Sequence, residues 1–170
     1  MRNSIITLLV FMETLSGAAP VNASAYDYGK RVTSLMKEFS MNQDFQVVNI
    51  GKLGLSILKT VIRHSDDKDA LELLDLMKDV KQVSIASFED CDPEVKSRFS
   101  SRLSKILVND YLLVEAKDSG EKVRIYAIPA REGVDVSDLI ISAPSSGALI
   151  CVRGRINIQD VANYLESKSK

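Results

Sequence analysis

Tryptophan is absent from this 170-residue chain, histidine occurs once, and cysteine occurs twice. With no Trp and few other aromatics, the chain has little material for a surface on which single-stranded bases or sugars stack. One His and two separated Cys, at positions 91 and 151, are too few for a structural zinc set or a C-x-x-C redox pair. No G-x-G-x-x-G, P-loop or H-E-x-x-H pattern occurs either. An excess of one charge is also missing. The net charge is -1 with no long run of either sign, so a polyanion or an anionic membrane is not the expected partner, and nucleic acid is a poor one. What is present, 45% hydrophobic and 26% charged residues, matches one globular domain with one sizeable core.

The first 25 residues read differently from the rest. In "MRNSIITLLVFMETLSGAAPVNASA" one Arg precedes an apolar run from Ile5 to Met12, and small residues follow, the pattern of a secretory signal peptide. The run is too short to cross a hydrocarbon core about 30 Å thick, so no transmembrane span is expected. Cleavage after Ala18 or after Ala25 fits the small-x-small rule, and the cut after Ala25 is favoured, leaving a single domain over residues 26–170. No Cys stands near either cut to take a lipid anchor. Cys91 and Cys151 could pair in an oxidising compartment if their Cα atoms came within about 4.4 to 6.8 Å. Alternatively, Cys151 in "ALICVRG" is a small buried apolar group.

Periodicity then places the elements. Tyr28, Val32, Leu35, Met36 and Phe39 recur at helical spacing, with Lys30, Arg31, Lys37 and Glu38 on the other side. "DFQVVNIG" reads as a strand ending at Gly51. The helix that follows carries Leu53, Leu55, Ile57, Leu58, Val61 and Ile62 over more than half its circumference and is expected to be largely covered. "HSDDKDALELLDLMKD" predicts a third helix capped by Ser65 or Asp66, with Ala70, Leu73, Leu74 and Met77 inward. "VKQVSIASF" is a strand. In "EDCDPEVKSRFSSRLSKIL", Asp92 is the expected N-cap, Pro93 the first helical residue, and Val95, Phe99, Leu103, Ile106 and Leu107 the core stripe. Beside that stripe run Arg98, Arg102 and Lys105, either an anion-binding face or alkyl stems laid over the core edge. "YLLVEAKDSGEKVRIYA" reads as a charged hairpin turning at Ser119-Gly120, with Glu115, Lys117, Lys122 and Arg124 pairing across it. "SDLIISA" and "ALICVRGRI" form a second hairpin about "PSSG", and Asn157 caps a final helix with Ile158, Val161, Ala162 and Leu165 inward. The implied architecture is α+β: two layers, helices on one face of a mixed, mostly antiparallel sheet.

The phrases "LLVEAKDSGEKVRIYA" and "DLIISAPSSGALICVRGRINIQDVANYL" resemble the C-terminal half of exported bacterial proteins grouped as domain of unknown function 4252. The likeness covers most of the chain after about Val47, and its motifs are structural. It implies an exported protein of the periplasm or cell envelope, and it supplies no catalytic, cofactor-binding or metal-binding residue to carry over. The residues agree. His64 in "RHSDDKD" lacks a companion G-x-S-x-G and reads as a helix-end His. Glu89, Asp90, Asp92 and Glu94 lack the ligand spacing and turn Gly of a calcium loop, and capping accounts for them. Two functions follow as expectations: a non-enzymatic binding module of the envelope, contacting an envelope protein or a small ligand without any cofactor, or an unrecognised hydrolase that gathers Glu89, Asp90 and Asp92 in a pocket.

Overall fold

The computed structural model describes residues 28–63, 76–118, 121–130, 135–161 and 163. These hold helices α1 (Tyr28–Phe39), α2 (Lys52–Arg63) and α3 (Pro93–Ser104), with strands β1 (Gln46–Ile50), β2 (Val80–Ser87), β3 (Leu112–Asp118), β4 (Glu121–Pro129), β5 (Asp135–Ala143) and β6 (Ala148–Asn157). The leader, His64, the Ser119-Gly120 turn and the predicted third helix as far as Asp75 lie outside the described residues.

The six strands form one sheet in the order β1-β2-β6-β5-β4-β3. Each neighbouring pair is antiparallel, so the α+β class stands while the parallel component expected of a mixed sheet is not found. The physical reason lies in the connection from β1 to β2. A parallel pair needs the chain to reverse direction an even number of times between its strands, as in a single helical crossover; the antiparallel register, with Val48 opposite Ile85, requires an odd number. Both predicted hairpins form, β3 with β4 and β5 with β6. Gly147 closes the second at φ 58°, where a Cβ would lie 2.4 Å from the backbone nitrogen of Glu89, so only glycine fits that turn.

One sheet face carries the main core. Ala86, Leu149, Cys151, Ile140, Tyr126 and Ile128 meet Val32, Leu35, Met36 and Phe39 of α1 and Phe99 and Leu103 of α3. At its centre Phe39, Phe45, Phe88 and Phe99 form a ring cluster with centroids 4.9 to 5.7 Å apart. Such contacts add to the burial term that dominates folding. On the hairpin, the strand face bearing Arg124 is therefore the inward one, since it continues through Tyr126 and Ile128.

The opposite face holds a smaller cluster. Leu55 of α2 packs there with Val80, Val136 and Ile156, supported by Ile50, Val83, Val152 and Leu139 and by Ile158 and Val161 of the helical turn at 158–161. Irregular register between Val80 and Gln82, and between Val136 and Asp138, reverses the side-chain alternation and sends Val80 and Val136 to this side. Helices on one face therefore describes α1 and α3; α2 sits with the other. Its expected cover is also corrected, because only Leu55 of α2 is buried. Periodicity measured how apolar the helix is, and α2 meets the sheet along one edge only.

Two capping expectations part ways. Asn157 Oδ1 accepts the backbone N–H of Asp160 at 3.1 Å, as the sequence predicts. Helix α3 does start at Pro93, but the Asp92 side chain makes no capping hydrogen bond, and the first turn is closed by Lys96 N–H to the Asp92 carbonyl.

Candidate functional site

Helices α1 and α3 lie side by side on the same sheet face, which brings together two basic rows 70 or so residues apart in the chain. The groove between them is open to solvent, has a volume of about 800 Å³ and is lined by Lys30, Arg31, Ser34, Leu35, Glu38, Arg102, Lys105 and Ile106. Four of these are cations and one is an acid. The acid is engaged: Glu38 accepts two bonds from the Arg102 guanidinium, one of them 2.7 Å from Nη2 to Oε2. This pairing holds the Glu38 carboxyl below its ordinary range and raises Arg102. Both side chains are about half exposed, at 51% and 44%, so the pair is screened and open to exchange with an incoming carboxylate.

Of the two expectations for Arg98 and Arg102, the covering of the core edge is the one found. Their guanidinium carbons stand 5.5 and 5.6 Å from the centroid of Phe39, so they cover the edge of the ring cluster. Arg98 also donates to Asn42 Oδ1 at 3.1 Å, whereas Arg102 and Lys105 line the groove. Across the sheet a second concavity of about 330 Å³ is lined by Lys52, Lys59, Lys78, Lys81 and Asp79 with Leu55, Ser56 and Val80. It too gathers four cations and one acid.

Beneath the start of α1 lies a buried polar group that sequence reasoning missed. Asp138 is 5% exposed. Its carboxylate accepts the Gly29 backbone N–H and lies 3.6 Å from Arg153 Nε, an ion pair too long for a hydrogen bond. Arg153 Nη1 reaches Gln82 Oε1 at 3.3 Å, and Gln82 in turn donates to Ser84 Oγ at 3.0 Å. Burial pushes the Asp138 carboxyl up to about 6 from 3.8, against the pull of Arg153 and of the Gly29 N–H. A methyl at Gly29 would stand 2.7 Å from Asp138 Oδ1. The signal was present: "SDLIISA" puts one acid on the inward phase of its strand, and "ALICVRG" puts one Arg on the inward phase of the neighbouring strand. Buried on a joint between helix and strands, this cluster anchors α1 and lines neither concavity.

The remaining candidates are not gathered into a site. Cys91 and Cys151 are both buried and both free, so no disulfide joins them. Burial raises both thiols, Cys151 to about 12, and so disfavours the thiolate of each. Glu89, Asp90 and Asp92 are exposed and line neither concavity. The pocket that the hydrolase reading requires is not formed around them. Among the described residues no group of three or more His, Cys, Asp or Glu could hold a metal ion, and no helix is long and apolar enough to cross a membrane.

Fold and site thus define a class: an α+β domain on an antiparallel sheet whose two concave surfaces are lined by cations. The family described as domain of unknown function (DUF4252) matches residues 39–164, and the chain belongs to it. No curated protein and no solved structure matches the chain.

Proposed function

We propose that this protein is an exported, non-enzymatic binding module of the cell envelope, and that the groove between α1 and α3 receives an acidic segment of another envelope protein. The observation that carries the reading is the lining of that groove, where Lys30, Arg31, Arg102 and Lys105 surround the single carboxylate of Glu38. An acidic chain can displace Glu38 from Arg102 and take up the bidentate geometry that a guanidinium offers. A small anion is disfavoured because well-bound small ligands lose most of their surface to the protein, and the side chains here are half exposed. Nucleic acid is disfavoured because no aromatic ring lines the groove. Support for export comes from the leader pattern of residues 1–25.

The test has two arms. Intact mass of the protein from the envelope fraction should correspond to a chain lacking its first 18 or 25 residues; recovery of the full-length chain from the cell interior would overturn export. A photo-crosslinker at Ser34 should capture a partner through an acidic stretch, and Arg31→Glu combined with Lys105→Glu should abolish capture. Capture that survives both charge reversals, or turnover of a substrate by the purified domain, would defeat the reading.

A further inference from the structure

The groove on the α1 side leaves α2 without a role, and α2 is built unlike the other helices. Leu53, Ile57 and Val61 follow one another at i, i+4 and i+8, with Leu58 beside them, and they are 78, 59, 63 and 39% exposed. Large apolar side chains left in water along one line of a helix mark a contact surface rather than scatter. Lys52, Lys59 and Arg63 stand on the other side of the same helix, which carries no acid at all. Lys59 is fixed by a 2.9 Å bond from Nζ to the Lys78 carbonyl, and with Lys52, Lys78 and Lys81 it lines the second concavity. The sheet face on which α2 rests also exposes Val48 and Ile85, which pair across β1 and β2.

We infer that α2 docks this protein onto an anionic phospholipid surface. Charge complementarity and shape both select that occupant. An interfacial helix sinks its apolar side about 5 to 10 Å into the boundary between headgroups and acyl chains, so basic residues one helix diameter higher lie level with the phosphates. Stripe and lysines on α2 have that arrangement. A second copy is a weaker fit, since four side chains supply at most roughly half of the ~800 Å² that each partner buries in a standard interface. A groove-bearing protein partner would account for the stripe but not for the lysines across the helix. The chain-wide charge of -1 concealed this, because the basic groups are segregated.

Co-sedimentation of the protein as recovered from the envelope fraction with phosphatidylcholine vesicles containing about 30% phosphatidylglycerol should retain it, with phosphatidylcholine alone binding at least about tenfold more weakly. Leu53→Asp with Ile57→Asp should abolish retention while circular dichroism and monomer mass stay unchanged. Lys52→Glu with Lys81→Glu should remove the preference for anionic lipid. Arg31→Glu with Lys105→Glu, in the opposite groove, should leave vesicle binding intact, so this inference and the proposed partner site fail separately. Equal binding to neutral and anionic vesicles would overturn it. A dimer in light scattering that the Leu53 and Ile57 substitutions dissolve would overturn it in favour of self-association.

Discussion

The two faces of the sheet solve the same problem to different degrees. On one, α1 and α3 close over four interlocking phenylalanines, and Val32, Met36 and Phe99 have no more than a trace of exposure. On the other, α2 commits Leu55 and leaves four apolar neighbours in water. Helix α2 is more apolar than α1 or α3 and yet buries less, so composition does not decide what is buried; the number of helices that converge on a face does. A face closed from two sides is spent on stability. The other keeps surface in hand for contact.

Substitutions should separate the two faces by size of effect. Phe99→Ala opens a void in the ring cluster and should cost about 3 to 5 kcal/mol in urea unfolding, against about 2 kcal/mol or more for Leu55→Ala on the thinner side. Equal losses would break the contrast. Gly29→Ala pushes a methyl against the Asp138 carboxylate and should cost about 1 to 3 kcal/mol, a penalty specific to the α1 face.

Asp138 sharpens the contrast further through pH. Its carboxyl takes up a proton near pH 6 in the folded chain and near 3.8 when unfolded, so the folded state binds the proton first. Stability should therefore rise as pH falls from about 7 toward 4, by something on the order of 2 kcal/mol, and Asp138→Asn should flatten that slope. Glu38 and Glu115, held below their ordinary range by Arg102 and Arg124, act in the opposite sense, and their contribution is lost only at lower pH. A slope that persists in Asp138→Asn would assign it to another group. The smallest effect belongs to the α2 stripe, where Leu53→Asp or Ile57→Asp should shift stability by no more than about 0.5 kcal/mol. A larger loss would show that the stripe is part of the core.

Local order was legible in the sequence. The α1 stripe, the start of α3 at Pro93, both hairpins and the Asn157 cap each rest on a pattern a few residues long, and each is found. Glu115 pairs with both Lys122 and Arg124, as the charged hairpin implied. What escaped is what depends on strand order. Nothing near Val80 announces that β2 will lie beside β6, nor does Lys30 foretell Lys105, so the basic groove, the lysine cavity and the Asp138–Arg153 pair emerge only when distant segments meet. The failure at α2 has a different origin: apolar periodicity predicts a face that needs a partner and is silent on which partner provides it.

The tie between Gly29 and the Asp138 and Cys151 strands joins the first described helix to the last strands, with Gly29 and Cys151 122 residues apart. Synthesis delivers α1 long before this anchor is complete: a polypeptide interrupted before β6 keeps Asp138 on β5 but lacks Arg153 and Cys151, and so holds a buried carboxylate without its cation.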